Sequence, residues 1–174
     1  MKSIIPTLAV LGAGAGMQMV PRTLPANPAV VSGRTIEANL QVPAHIQQIL
    51  NNACRDCHSS ETRWPWYVKV APVSCFVAPD VKRARNAVNF SEWSVQAGRT
   101  ANTAMGTLAA ACAGVTAGHM PPALYRLMHP EARLSEEEAI CFCTWTIEES
   151  RWLRAARPTL LRPRLGGADT EPRP

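Results

Sequence analysis

Cys54 and Cys57 stand three apart with His58 directly behind them, in the run NNACRDCHSSETRWPWY. Three chemistries use such a spacing. Two thiols can add across the vinyl groups of a haem while the adjacent histidine reaches the iron from the same side. Two thiols can instead cycle as a redox pair, or two thiolates and a histidine can supply three of the ligands of zinc. Zinc requires a fourth ligand, and Cys75, Cys112, Cys141 and Cys143 never repeat the C-x-x-C spacing of paired zinc knuckles. A thioredoxin-like pair belongs at a helix N-terminus within a βαβ pattern, whereas helical periodicity precedes this motif and strand signals are missing. Covalent haem c, one per chain, is the favoured reading, with His58 as an iron ligand.

A six-coordinate iron needs a ligand on its far side, and the stretch AGHMPPALYRLMHPEARL offers His119, Met120, Met128 and His129. Met120 is the preferred donor. It precedes Pro121 and Pro122, which stiffen the backbone and remove two amide donors, so its thioether can be presented from a rigid loop. His129, before Pro130, suits a hydrogen-bonding role better than ligation, and His45 reads as a surface residue. An apolar macrocycle also needs shielding. Trp64, Trp66 and Tyr67, just behind the motif, are the candidate haem-packing residues.

The elements that must carry these residues are helices joined by long loops. Pro43 suits a first helical turn, and Ile46, Leu50, Ala53 and Cys54 recur at helical spacing, giving a short helix that delivers CRDCH. From Ser59 to Pro79 the prolines at 65, 72 and 79 predict a loop, with Asp80 as N-cap of a helix whose face holds Val81, Ala84 and Val88. Met105, Leu108, Cys112 and Val115 predict a helix with Gly118 at its C-cap. Ser135 and Glu138 form a capping box, opening a last helix with an Ile140, Cys143, Ile147 stripe. The fold class expected is all-α, a small helical domain with long loops, which the family resemblance set out below extends to a cytochrome c-like domain wrapping one haem.

Composition agrees with one globular domain: 174 residues, 47% hydrophobic and 18% charged, with five tryptophans against three phenylalanines. The N-terminal MKSIIPTLAVLGAGAGMQMV is an early lysine followed by an apolar stretch too short and too glycine-rich for an ordinary span, so residues 1–20 read as an export signal or a membrane anchor. Residues 21–41 are a proline-rich arm, 42–155 the domain, and 156–174 a basic Pro/Arg-rich tail expected to be disordered. Either reading of the N-terminus puts the body in the periplasm or otherwise outside the cytoplasm, secreted or membrane-associated through that segment. In an oxidising compartment the extra thiols favour a disulfide, Cys112 with Cys141 or with Cys143, although all four also suit buried small-residue positions.

The net charge of +5 is spread thinly and lacks the aromatic-interleaved basic stripe of nucleic-acid readers, so no nucleic acid is expected as partner. It suits steering toward an acidic redox partner protein.

Four separated blocks carry a family resemblance: CRDCHSSETRWPWYVKVAPVS, then DV at 80 and 81 with NFSEW at 89 to 93, GHMPPALYRLMHPEARLSEEE at 118 to 138, and a tryptophan at 145. Over roughly residues 42 to 147 the chain resembles the bacterial haem-binding domain family, monohaem proteins related to class I cytochromes c. QMVPRTLPANPAV also resembles the arm that follows a membrane-proximal segment in that family. The resemblance implies thioether attachment at Cys54 and Cys57, His58 as proximal ligand and Met120 as distal ligand. Cys75, the KRAR run and Cys112, Cys141 and Cys143 depart from the family pattern.

With both axial positions filled and no acid, base or nucleophile cluster near a pocket, the function expected is single-electron transfer rather than catalysis. The alternative is a haem-based sensor or binding module with a displaceable distal position.

Overall fold

The computed structural model describes residues 23–94 and 101–160. The export signal or anchor at 1–20 and residues 161–174 of the 156–174 tail lie outside the described residues, while residues 156–160 continue the last helix. Seven α-helices and no strand occur among the described residues: α1 (Ile36–Asn39), α2 (Ala44–Ala53), α3 (Arg55–His58), α4 (Ser74–Ala87), α5 (Ala101–Thr116), α6 (Ala123–Met128) and α7 (Glu136–Leu160). A 3-10 turn at Ser32–Arg34 precedes α1, and others lie between the helices at Trp66–Lys69, Phe90–Glu92 and Pro130–Ala132. The all-α expectation is met. No described helix is long and apolar enough to cross a membrane.

α2 forms where the sequence places it. Pro43 is its N-cap, with its carbonyl accepting from the Gln47 amide at 2.9 Å, and Ile46, Ile49, Leu50 and Ala53 are buried on one face. That face meets Phe90, Trp93, Leu108, Phe142, Trp145 and Leu153 in the central core. Trp145 shows how such a core accepts a polar atom: its indole N–H donates to the Gln41 carbonyl at 2.7 Å, so the ring is buried without an orphaned donor.

α5 ends as expected. Gly118 adopts φ +70°, a left-handed conformation that glycine enters without steric cost, and the His119 and Met120 amides both donate to the Gly114 carbonyl at 3.0 Å. The capping box at α7 is complete, with Ser135 N donating to Glu138 Oε2 at 2.8 Å and Glu138 N to Ser135 Oγ at 3.1 Å. α5 packs along α7, and a disulfide between Cys112 and Cys143 joins them. Cys141 keeps its thiol, half-buried two residues away.

Two expectations are corrected. α4 starts at Ser74 rather than after Asp80, so Pro79 lies inside the helix and Asp80 is not its cap. A proline there forfeits one backbone hydrogen bond. Burial of Val81, together with anchoring of Arg85, offsets the loss. The stripe of α7 is also rotated. Ile140 and Ile147 are exposed, and the buried face carries Phe142, Trp145, Thr146, Glu149 and Leu153. Two aromatic rings bury more apolar area than two isoleucines, and Glu149 is accommodated because its carboxylate accepts from the Gln41 amide at 3.3 Å.

Candidate functional site

Cys54 caps α2, and its carbonyl accepts from the amides of Cys57 (3.2 Å) and His58 (2.9 Å). The single turn of α3 therefore gathers both thiols and the imidazole at the end of a rigid, core-anchored helix. His58 Nδ1 lies 3.2 Å from the carbonyl oxygen of Val88, just past α4. A carbonyl only accepts, so Nδ1 holds the ring proton and the Nε2 lone pair is left for a metal. Burial lowers the His58 pKa, which keeps the imidazole neutral as a ligand must be. Phe90 packs at its side, ring centres 6.0 Å apart, and itself stacks on Trp93.

The two thiols are not paired with each other. Burial, reinforced by the neighbouring Cys57, pushes Cys54 up to about 12; burial and the carboxylates of Asp56 and Asp80 push Cys57 up to about 11. Thiols held protonated at neutral pH are poor thiolate ligands and poor nucleophiles for disulfide exchange. Among the described residues no cluster of three or more His, Cys, Asp or Glu could hold a metal ion. The protonated thiols count against the redox pair, and the donor set of the described residues does not favour zinc.

One of the two residues between the thiols has a role that sequence reading missed. Asp56 is buried, and its Oδ1 accepts from Arg63 N and Nε, both at 3.1 Å, while its Oδ2 accepts from the Tyr125 hydroxyl at 2.8 Å. Tyr125 stacks on His129 with ring centres 4.2 Å apart, and Tyr67 Oη lies 2.6 Å from His129 Nε2. His129 Nδ1 is 3.0 Å from Glu131 Oε1. Both nitrogens of His129 are thus engaged, which removes it as a free distal donor. Arg85 is a second unforeseen anchor. Its guanidinium donates to Ser59 O and Thr62 Oγ1, and to Ala26 O and Asn27 Oδ1 of the N-terminal arm, binding that arm to the loop behind His58.

The aromatic candidates divide. Tyr67 is half-buried in the hydrogen-bonded cluster, Trp64 is half-buried, and Trp66 is 72% exposed, touching Tyr67 edge to face. Met120 is 42% exposed and rests on Gly114, where an added Cβ would come within 3.4 Å of its Cγ. His119 and His45 are exposed.

A family model for a haem-binding domain matches residues 13–148. The chain belongs to the haem-binding domain family. No curated protein and no solved structure matches it.

Haem is therefore the cofactor of this haem-binding domain, and the residues present fit it. His58 offers a neutral, oriented nitrogen beside Phe90. Trp66, Val70, Val73 and Phe76 on one segment, and Met120, Leu124, Leu127 and Met128 on another, are large apolar side chains left in contact with solvent. The Tyr67–His129 bond joins the two segments. Exposed apolar surface concentrated in this way is what a flat macrocycle can cover.

Proposed function

We propose that this haem-binding domain is a c-type monohaem protein that transfers single electrons outside the cytoplasm and is not an enzyme. The observation that carries the reading is the α3 turn: two protonated, unpaired thiols flank Asp56, and His58 follows with Nδ1 directed at the Val88 carbonyl. Cys54 and Cys57 add as thioethers across the two vinyl groups, each S–H supplying its hydrogen to the second vinyl carbon. Bound there, haem supplies an iron that changes oxidation state by one electron.

The chain's residues do the rest. His58 holds the proximal side. Met120 supplies the distal donor, a soft thioether that favours the ferrous state and raises the potential relative to a second histidine. Support for Met120 over His129 comes from the two hydrogen bonds that occupy the His129 ring. Trp64, Trp66 and Tyr67 shield the macrocycle. With about two propionate charges added, the chain remains mildly basic, suiting an acidic redox partner. An exported or membrane-anchored location follows from residues 1–20, because thioether attachment by C-x-x-C-H and disulfide formation both belong outside the cytoplasm.

Expression in a host with periplasmic haem-attachment machinery tests the reading. Haem should survive denaturing electrophoresis, and a pyridine haemochrome spectrum should show saturated vinyl positions. A Cys54→Ala, Cys57→Ala variant that still stains for haem overturns covalent attachment. The oxidised protein should show the weak thioether-to-iron absorption, lost in Met120→Ala, and only the variant should bind carbon monoxide readily when reduced. Ready binding by the unaltered protein overturns electron transfer in favour of a sensor.

A further inference from the structure

We propose that Asp56, Tyr67, Tyr125 and His129 form a latch that holds the Met120 segment against the CRDCH turn, and that its strength sets how often the distal iron position opens. The inference rests on the reading of Met120 as distal ligand and deepens it.

α6, which follows Met120 and its two prolines, buries none of its residues, and Leu124 and Leu127 are 77% and 66% exposed. Hydrophobic burial therefore does not hold this helix in place. Side-chain bonds do: Arg133 Nε donates to the Arg126 carbonyl at 3.1 Å, and two more reach across from the CRDCH side. The Tyr125 hydroxyl donates to Asp56 Oδ2 at 2.8 Å, and the Tyr67 hydroxyl to His129 Nε2 at 2.6 Å. Both cross from the segment around the haem-attachment turn to the segment after Met120.

With the His129 ring neutral, the proton positions follow from its partners. Glu131 can only accept, so His129 Nδ1 carries the hydrogen it shares at 3.0 Å, and Nε2 is left to accept from Tyr67. Tyr125 stacks on His129 at 4.2 Å and 15°, coupling the two bonds mechanically. The anchor does not move, because Asp56 is buried and already fixed by the Arg63 amide and guanidinium. On the other side of Met120, the His119 and Met120 amides share the Gly114 carbonyl at 3.0 Å. Met120 is thus suspended between Gly114 and Tyr125, with Pro121 buried between them. Slack at the Tyr125 end lets the thioether leave iron. The four residues are positioning residues that act through Met120.

Haem-loaded Tyr67→Phe and Tyr125→Phe variants test the latch. Each loses one hydroxyl bond while keeping its ring, and the open population should rise about tenfold in Tyr125→Phe, which loses a bond to a carboxylate, and about threefold in Tyr67→Phe, which loses a neutral one. Carbon monoxide binding to the reduced protein should quicken by the same factors, and the thioether absorption should fade below the temperature of global unfolding. Amide hydrogens of residues 123–129 should exchange faster in both variants. Ser135→Ala, which breaks the α7 capping box, should lower global stability and leave the carbon monoxide rate and these amides unchanged. Wild-type rates and exchange in both tyrosine variants overturn the latch, as does a Ser135→Ala rate that rises as much as theirs. If the unaltered protein lacks the thioether absorption, the Met120 ligand reading fails; unchanged exchange at 123–129 then overturns the latch separately, and faster exchange supports it.

Discussion

The region around α2 and α7 and the region around the Trp66–Lys69 turn and α6 draw on the same residue types and treat them oppositely. In the first, Trp145, Phe142 and Leu50 are buried, and the polar edge of Trp145 is satisfied by the Gln41 carbonyl. In the second, Trp66, Phe76, Leu124 and Leu127 face solvent, and α6 buries nothing. The first region is held by area removed from water, the second by a few polar bonds around Asp56 and His129. A region built that way keeps its apolar surface for something else, and in a haem-binding domain that is the macrocycle.

This contrast is broken most severely by Trp145→Ala. Removing a 5% exposed tryptophan from the core should cost about 3 to 5 kcal/mol, with or without haem, measured by denaturant unfolding. Equal stability of the variant would show that α7 is not a core helix.

Next in size is the tie between α5 and α7. Replacing Cys112 and Cys143 together by alanine should cost about 2 to 4 kcal/mol, and adding a reductant to the unaltered protein should reproduce much of that loss.

Trp66→Ala sharpens the comparison because its effect should depend on the cofactor. In haem-free protein, an exposed ring should change stability by less than about 0.5 kcal/mol. In loaded protein, where the ring shields haem, the loss should reach about 2 to 3 kcal/mol. The same small value in both states would count against haem packing by Trp66.

The smallest effect concerns alkaline pH. Burial, then the bond and charge of Asp56, raise the Tyr125 pKa; burial, then the Asp56 charge, raise that of Tyr67. The folded chain therefore keeps protons that the unfolded chain loses near pH 10, so their contribution is complete below about pH 10 and declines as pH rises above it. If Cys54 and Cys57 hold haem as thioethers, as proposed, neither sulfur titrates in the loaded protein, leaving the tyrosines as the source at this site. Unfolding midpoints measured from about pH 8 to about 11 should fall less steeply in the Tyr67→Phe, Tyr125→Phe variant than in the unaltered protein.

Much of this was legible locally. The α2 face, the Ser135–Glu138 box, Gly118 and the CRDCH turn each depend on residues within a few positions of one another. The start of α4 was not, because the rule that proline ends a helix is local, whereas Val81 is buried and Arg85 hydrogen-bonded through partners elsewhere in the fold. The face of α7 was ambiguous for another reason. Ile140, Cys143 and Ile147 are all apolar, while the true buried face includes Thr146 and Glu149, which a search for apolar periodicity rejects.

The sequence by itself determined the helical class and the family, and it holds the five contiguous residues on which the proposed attachment rests, since such a motif and short-range caps need no fold to be recognised. Tertiary structure alone decided which cysteine pairs with Cys112, which face of α7 is inside, and that Asp56 meets Tyr125. These contacts join residues 31 to 104 positions apart. No local propensity selects such partners; they follow from how helices of fixed length pack around one core, with each buried polar atom required to find its complement.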